Sequence, residues 1–260
     1  AEPADEPGPL PVTVPLTMLW PLASAPTRVA AVPGAEGPDP VVMLTDGSLL
    51  EELSEAGRLT GLVRAAQEAF TGPGGPELRR ATCVAVDPEL LATVSEIADG
   101  RTVLIDDGAG PSPVADGDRG LGSRDRDRDD HPSTPADPGV VSADADRWLG
   151  ELRELVDDSC VVALPAAQAD LGSVAAVGSD RLTRAALDRR ETVERVLGVA
   201  PVPDVLVPAS GTLDPGAASV LMGEGTTAVV AAPSTRTDTG LVPPPGTVGL
   251  AGTPGNRALT

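Results

Sequence analysis

The chain contains no lysine and no tyrosine, and only one histidine, one phenylalanine, two tryptophans and two cysteines. Each shortage removes a class of chemistry. Without lysine there is no P-loop lysine, no kinase-type phosphate lysine and no Schiff base. Without tyrosine the Tyr/Lys proton relay of many small dehydrogenases cannot be assembled. A single histidine, His131, rules out a His-Glu-x-x-His metal site, and with two cysteines it makes a structural zinc site a poor expectation. Ser210 therefore has no histidine base within a serine triad. No cofactor and no metal are expected. No run approaches the ~20 apolar residues that a membrane-spanning helix needs, so this chain is not expected to insert into a membrane.

What is present in excess is acid. All 19 basic residues are arginine, against 39 acidic ones, and the formal net charge is −20. Such a surface repels phosphate over most of its area, which argues against nucleic acid and anionic membrane as partners. At 260 residues with 41% apolar content there is ample material for a core.

The two cysteines open matching phrases. Thr82-Cys83-Val84-Ala85-Val86-Asp87-Pro88 and Ser159-Cys160-Val161-Val162-Ala163-Leu164-Pro165 each consist of a hydroxyl residue, a cysteine, a short apolar run and a proline. Val-rich runs bounded by turn residues read as strands buried on both faces, and proline, which cannot continue a ladder, marks their ends. The same ending recurs in Leu19-Trp20-Pro21, Val205-Leu206-Val207-Pro208 and Val229-Val230-Ala231-Ala232-Pro233. Helix-like segments lie between most of these runs. The fold class expected is α/β: a (β/α) barrel-like domain of parallel strands, incomplete or irregular, with a long insertion. If the strands led by Cys83 and Cys160 are neighbours in a parallel sheet, their equivalent ends lie side by side within disulfide reach. That bridge would stabilise by about 4 kcal/mol in the chain-entropy account and would place the domain in an oxidising, extracytoplasmic setting. The alternative is two buried free thiols in a cytoplasmic α/β protein.

In order, residues 1–11 read as a flexible leader and 12–233 as the barrel-like domain. Residues 106–143 read as a mobile insertion within it, and 234–260 as a Pro/Gly-rich linker or the start of a following domain. The start at Ala1 fits a mature secreted protein or a fragment. Ser48 to Glu51 has capping-box spacing, with Gly57 and Gly61 dividing the helical pattern up to Phe70 into two short helices. Asp87-Pro88 and Asp214-Pro215 read as cap and first residue of helices. Asp144–Val156 forms a helix, and Ser179–Leu197 reads as the best one, with Leu182, Ala186, Val193 and Val196 inward.

Leu19-Trp20-Pro21-Leu22, Val84 to Leu91, Val162 to Pro165 and Leu206-Val207-Pro208-Ala209-Ser210-Gly211-Thr212-Leu213-Asp214 together resemble the actinobacterial DUF6049 family. These are large envelope proteins with a signal peptide, an extracytoplasmic region and a membrane anchor. The resemblance spans roughly residues 12–233. It implies a barrel similar to the glycoside hydrolase and polysaccharide deacetylase superfamily, and a setting beside the lipid II flippase of peptidoglycan synthesis. The chain departs from the family's pattern at two strand ends. Pro165-Ala166-Ala167-Gln168-Ala169-Asp170 stands where a Pro-Tyr-Gly-Asp type is expected, and Val207-Pro208-Ala209-Ser210-Gly211 where a Trp-Pro-Ala-Asp-Gly type is. Both remove aromatic or acidic groups that could hold a sugar. The metal site of the deacetylases, an Asp and two His, cannot be assembled.

The candidate binding residues are Trp20, Asp87, Gln168, Asp170, Ser210 and Asp214. Asp87 lies where barrel enzymes place catalytic groups, but a helix cap is the preferred reading, and Asp214 carries the same choice. Were their carboxyl groups ~5–9 Å apart they could act as a glycosidase pair. Trp20 could stack on a sugar or pack in the core. No motif identifies a reaction. The expectation is a non-catalytic extracytoplasmic binding or scaffolding domain of a cell-envelope protein, a pseudoenzyme anchored by a segment outside this chain. Its partner would be an envelope membrane protein of peptidoglycan synthesis or wall glycan. The alternative is a carbohydrate-active hydrolase using strand-end carboxylates.

Overall fold

The two cysteine-led runs form neighbouring parallel strands, as their matched phrasing implies. A computed structural model describes residues 16–29, 41–105, 138–188, 190–222, 226–229, 247–249 and 257–259. Strand β1 (Met18–Leu22), β3 (Thr82–Val86) and β5 (Cys160–Ala163) make a parallel sheet in the order β1-β3-β5. Val84, Ala85 and Val86 are each at most 1% exposed, so β3 is buried on both faces as the central strand of such a sheet must be. The register sets Cys83 opposite Cys160, and the two are disulfide-bonded with Cα atoms 4.4 Å apart.

Pro21 does not end β1; it lies inside it, paired with Ala85. Met18 N–H donates to Ala81 O and Leu22 O accepts from Asp87 N–H. Even-numbered residues thus face β3, and the Pro21 nitrogen falls on the outer side of an edge strand, where proline removes no ladder bond.

Strand β2 (Val42–Leu44) pairs in parallel with β4 (Val103–Ile105), and β6 (Val205–Leu206), β7 (Thr227–Val229), β8 (Thr247–Gly249) and β9 (Arg257–Leu259) form a mixed sheet in the order β6-β7-β9-β8. The fold is α/β with parallel sheets, but among the described residues no continuous ladder closes it into a barrel. β8 and β9 fall in the stretch 234–260, read as a linker or the start of a following domain, and pair into the sheet of β6 and β7.

The helices are α1 (Ser48–Leu53), α2 (Arg58–Thr71), α3 (Gly75–Arg80), α4 (Pro88–Ala98), α5 (Pro138–Val156), α6 (Leu171–Val177), α7 (Asp180–Leu187), α8 (Arg190–Leu197) and α9 (Pro215–Leu221). Ser48 does not cap α1: Gly47 holds the cap position, and the Ser48 N–H and hydroxyl both donate to Asp46. Helix α5 begins at Pro138, so residues 138–143, assigned to the insertion, are helical. The Ser142 hydroxyl donates to Ala98 O and Val141 is buried, contacts that fix this first turn against α4. The leader, residues 106–137 and Pro233 lie outside the described residues.

Ser179–Leu197 is two helices, broken at Asp188, whose backbone is not helical. Ala186 of α7 packs in a small cluster with Leu171, Leu206, Ala218, Met222 and Ala228, whereas Val193, Val196 and Leu197 of α8 join the main core. The chain must turn between them to serve both. Leu182, expected inward, is 46% exposed. The main core lies between the sheet and α2, α4, α5 and α8, and contains Trp148 and Leu152 at 0% exposure.

Candidate functional site

Ligands of open parallel sheets gather beyond the carboxyl ends of the strands, and here three such ends are tied together by side chains. After β3, Asp87 caps α4: its Oδ1 accepts from Glu89 N–H at 2.9 Å, with Pro88 in the first turn, where no N–H is missed. The same Oδ1 accepts from Ala167 N–H, 3.1 Å away in the loop after β5. Gln168 then donates from Nε2 to the carbonyl of Ser24, after β1. To make these reaches, Ala167 and Gln168 adopt left-handed backbone at φ 54° and 52°, which costs about 1 kcal/mol or more at each non-glycine residue.

These loops and the first turns of α4 enclose a cavity of about 110 Å³ lined by Ser24, Thr27, Arg28, Asp87, Glu89 and Thr93, with Leu49, Leu90, Pro26, Ala25 and Ala167 as its apolar and small-residue lining. Ser24, Thr27, Asp87 and Thr93 are buried polar residues, and Asp87 is 2% exposed. Arg28 reaches past the cavity to form a bidentate pair with Glu96, at 3.0 and 2.9 Å.

Burial pushes the Asp87 carboxyl above the ordinary carboxylate range, and the nearby Glu89 charge adds a smaller push. The backbone N–H groups of Glu89, Ala167 and Leu90 oppose the rise. The folded chain therefore holds this proton more tightly than the unfolded chain does. Between the unfolded aspartate value of about 3.9 and the raised folded value, stability contributed by this group falls as pH rises. Asp87→Asn keeps the accepting oxygen and removes the charge. It is expected to leave stability near neutrality within about 1 kcal/mol of the parent, because Asn caps as well as Asp. The parent should then gain on the Asn variant as pH is lowered through the window, read by urea midpoints of both proteins across pH. Asp87→Ala strands two N–H groups in a buried place and is expected to cost about 2–3 kcal/mol.

The other sequence-level candidates lie elsewhere. Asp170 caps α6, accepting from Gly172 N–H at 3.0 Å and the Ser173 hydroxyl at 2.6 Å. The Ser173 bond first, then the Gly172 N–H, holds its carboxyl below the usual range. Asp214 caps α9, accepting from Ala217 N–H at 2.9 Å. Ser210 is exposed, its hydroxyl 3.0 Å from that of Thr212 in a local turn. Trp20 packs against the main core in the middle of β1, and its indole Nε1 is buried without an acceptor among the described residues. None of Trp20, Asp170, Ser210 or Asp214 lines the cavity. Sequence reasoning missed Ser24, Thr27, Arg28, Glu89 and Thr93. The available signals were the small polar residues directly after β1, and Glu89 and Thr93 four apart on the face of α4 that starts at the cap.

Among the described residues no group of three His, Cys, Asp or Glu side chains is placed to hold a metal ion, and no helix is long and apolar enough to cross a membrane. The bonded cysteine pair is the arrangement of an oxidising, extracytoplasmic setting. No protein-family model matches the chain, and no curated protein matches it either.

Proposed function

We propose that this chain is a non-catalytic extracytoplasmic binding or scaffolding domain of a cell-envelope protein, engaged with the machinery of peptidoglycan assembly. The observation that carries the non-catalytic part is the commitment of the strand-end acids. Asp87 is spent on two backbone N–H groups, and Asp170 and Asp214 each cap a helix. A glycosidase needs one carboxylate free to attack or activate water and another to protonate the leaving group. The Pro-Tyr-Gly-Asp pattern of the resembled family would place its acid at Gln168, and here that side chain is a neutral amide holding the Ser24 carbonyl. The disulfide supports the extracytoplasmic part, and the DUF6049-like phrasing of the strand ends supports the envelope setting.

The test is crosslinking of the tagged, full-length protein in native envelopes, with proteomics and wall-glycan analysis of the same purified material. A membrane protein of peptidoglycan precursor handling is the expected catch. Purified protein should also release no soluble fragments from isolated wall. Release by the parent but not by Asp87→Asn would overturn the reading in favour of the hydrolase.

A further inference from the structure

We infer that the cavity at the carboxyl ends of β1, β3 and β5 is a binding site for a primary ammonium group carried on a short aliphatic stem. The inference stands on the cavity alone and does not depend on the envelope reading.

Asp87 is a buried carboxylate, and among the described residues no arginine pairs with it. A buried charge without a counter-charge is costly, and Glu89 on the same wall adds a second negative charge. The cationic residue on the lining, Arg28, is already held by both oxygens of Glu96. Arg101 shares the same Glu96, and the two acids on the lining, Asp87 and Glu89, make the cavity favour a cationic guest. Asp87 lines this cavity at 2% exposure, and the hydrogen bonds to its Oδ1 from Glu89 and Ala167 come from neutral backbone N–H groups, which bring no countercharge.

The lining also discriminates among cations. An ammonium carries three N–H donors and no acceptor, and the wall supplies Asp87, Glu89 and the hydroxyls of Thr27 and Thr93 as acceptors. No cluster of three ligating side chains among the described residues offers the donor set of a divalent metal. Leu49, Leu90 and Pro26 make the rest of the wall apolar, suited to methylenes but not to a second charge. A volume of about 110 Å³ is somewhat below the roughly 150 Å³ that takes a benzene ring, which leaves room for about four or five heavy atoms. The natural source is an amine at the end of a larger molecule: a diamino-acid side chain or the amino terminus of a peptide.

The experiment is titration of isotope-labelled whole chain by amide NMR at physiological salt, with n-butylammonium as the probe. Saturable shifts centred on Thr27, Glu89, Thr93 and Ala167, with affinity of about millimolar, are expected. Butan-1-ol, which lacks the charge, and tetramethylammonium, which lacks the N–H donors, should produce none. Asp87→Asn, which retains the cap, should bind at least tenfold more weakly. Glu89→Gln, which leaves both Asp87 hydrogen bonds in place, should weaken binding several-fold and serves if the first variant folds poorly. Tighter binding of Nα-acetyl-lysine methylamide than of alanine methylamide supports the site and assigns it to side-chain amines; the reverse order supports it and assigns it to chain termini. Absence of saturable shifts at these amides, equal binding by tetramethylammonium, or unchanged affinity in both variants overturns the inference.

Discussion

Replacing Cys83 and Cys160 together by alanine is expected to cost about 4 kcal/mol of stability, by the chain-entropy relation for a loop closed across a sequence separation of 77. For a domain of this size the thermal midpoint should fall by roughly 8–16 °C. The two cysteines are half-buried and sit at the starts of the central strand β3 and its neighbour β5, so the folded sheet itself requires no rearrangement when the bond is absent. The loss falls on the unfolded ensemble, which regains the freedom of the closed segment. The measurement is paired urea titration of the parent, with and without reductant, and of the double variant. Reduced parent and double variant should agree with each other. A loss below about 1 kcal/mol would show that the bridge adds little to what the ladder already holds.

Trp148→Ala is expected to cost about 3–5 kcal/mol, the range for removing a large side chain from a core that relaxes only in part. The side chain is 0% exposed and sits on α5, the helix that packs against both α4 and α2. The cluster around it is mostly Leu and Val, close-packed side chains that fill such a cavity only in part. Trp148→Phe should cost far less, about 1–2 kcal/mol, because the indole Nε1 is buried without an acceptor among the described residues. Phe gives up volume but also removes an unsatisfied donor, whose burial carries its own penalty. Urea unfolding followed by circular dichroism separates the two variants without relying on the tryptophan being replaced.

The parts of this fold that were legible in the sequence are those in which local chemistry and global position agree. Cys83 and Cys160 open matching phrases because they begin adjacent strands in register, and Asp87-Pro88 and Asp214-Pro215 are caps in the sequence and in space. The parts that were not legible depend on a neighbour far along the chain. Whether Pro21 can lie inside β1 depends on β1 being an edge as far as Pro21, which is set by the strands that pair with it. The helical pattern runs unbroken through Ser179–Leu197, yet its halves serve two different clusters and the chain turns at Asp188. β8 and β9 are three residues each and exist through pairing with β7 and with each other. The candidate site is the extreme case. Gln168 and Ser24 meet across 144 positions, and the acid chosen at sequence level, Asp87, was recognisable, whereas the hydroxyls around it carry no signature of their own.

The disulfide also changes what a broken backbone would mean. Helix α4, strand β4, residues 106–137 and helix α5 all lie between Cys83 and Cys160, so they form a covalent ring with the rest of the chain hanging from its closure. A peptidase that cut once among the arginines of Arg124 to Arg128 would open that ring without dividing the molecule. The piece bearing β1 and β3 and the piece bearing β5 would remain joined at the bridge, paired in the same register. With the bridge intact, chain cleavage and loss of the parallel sheet are thereby made separate events.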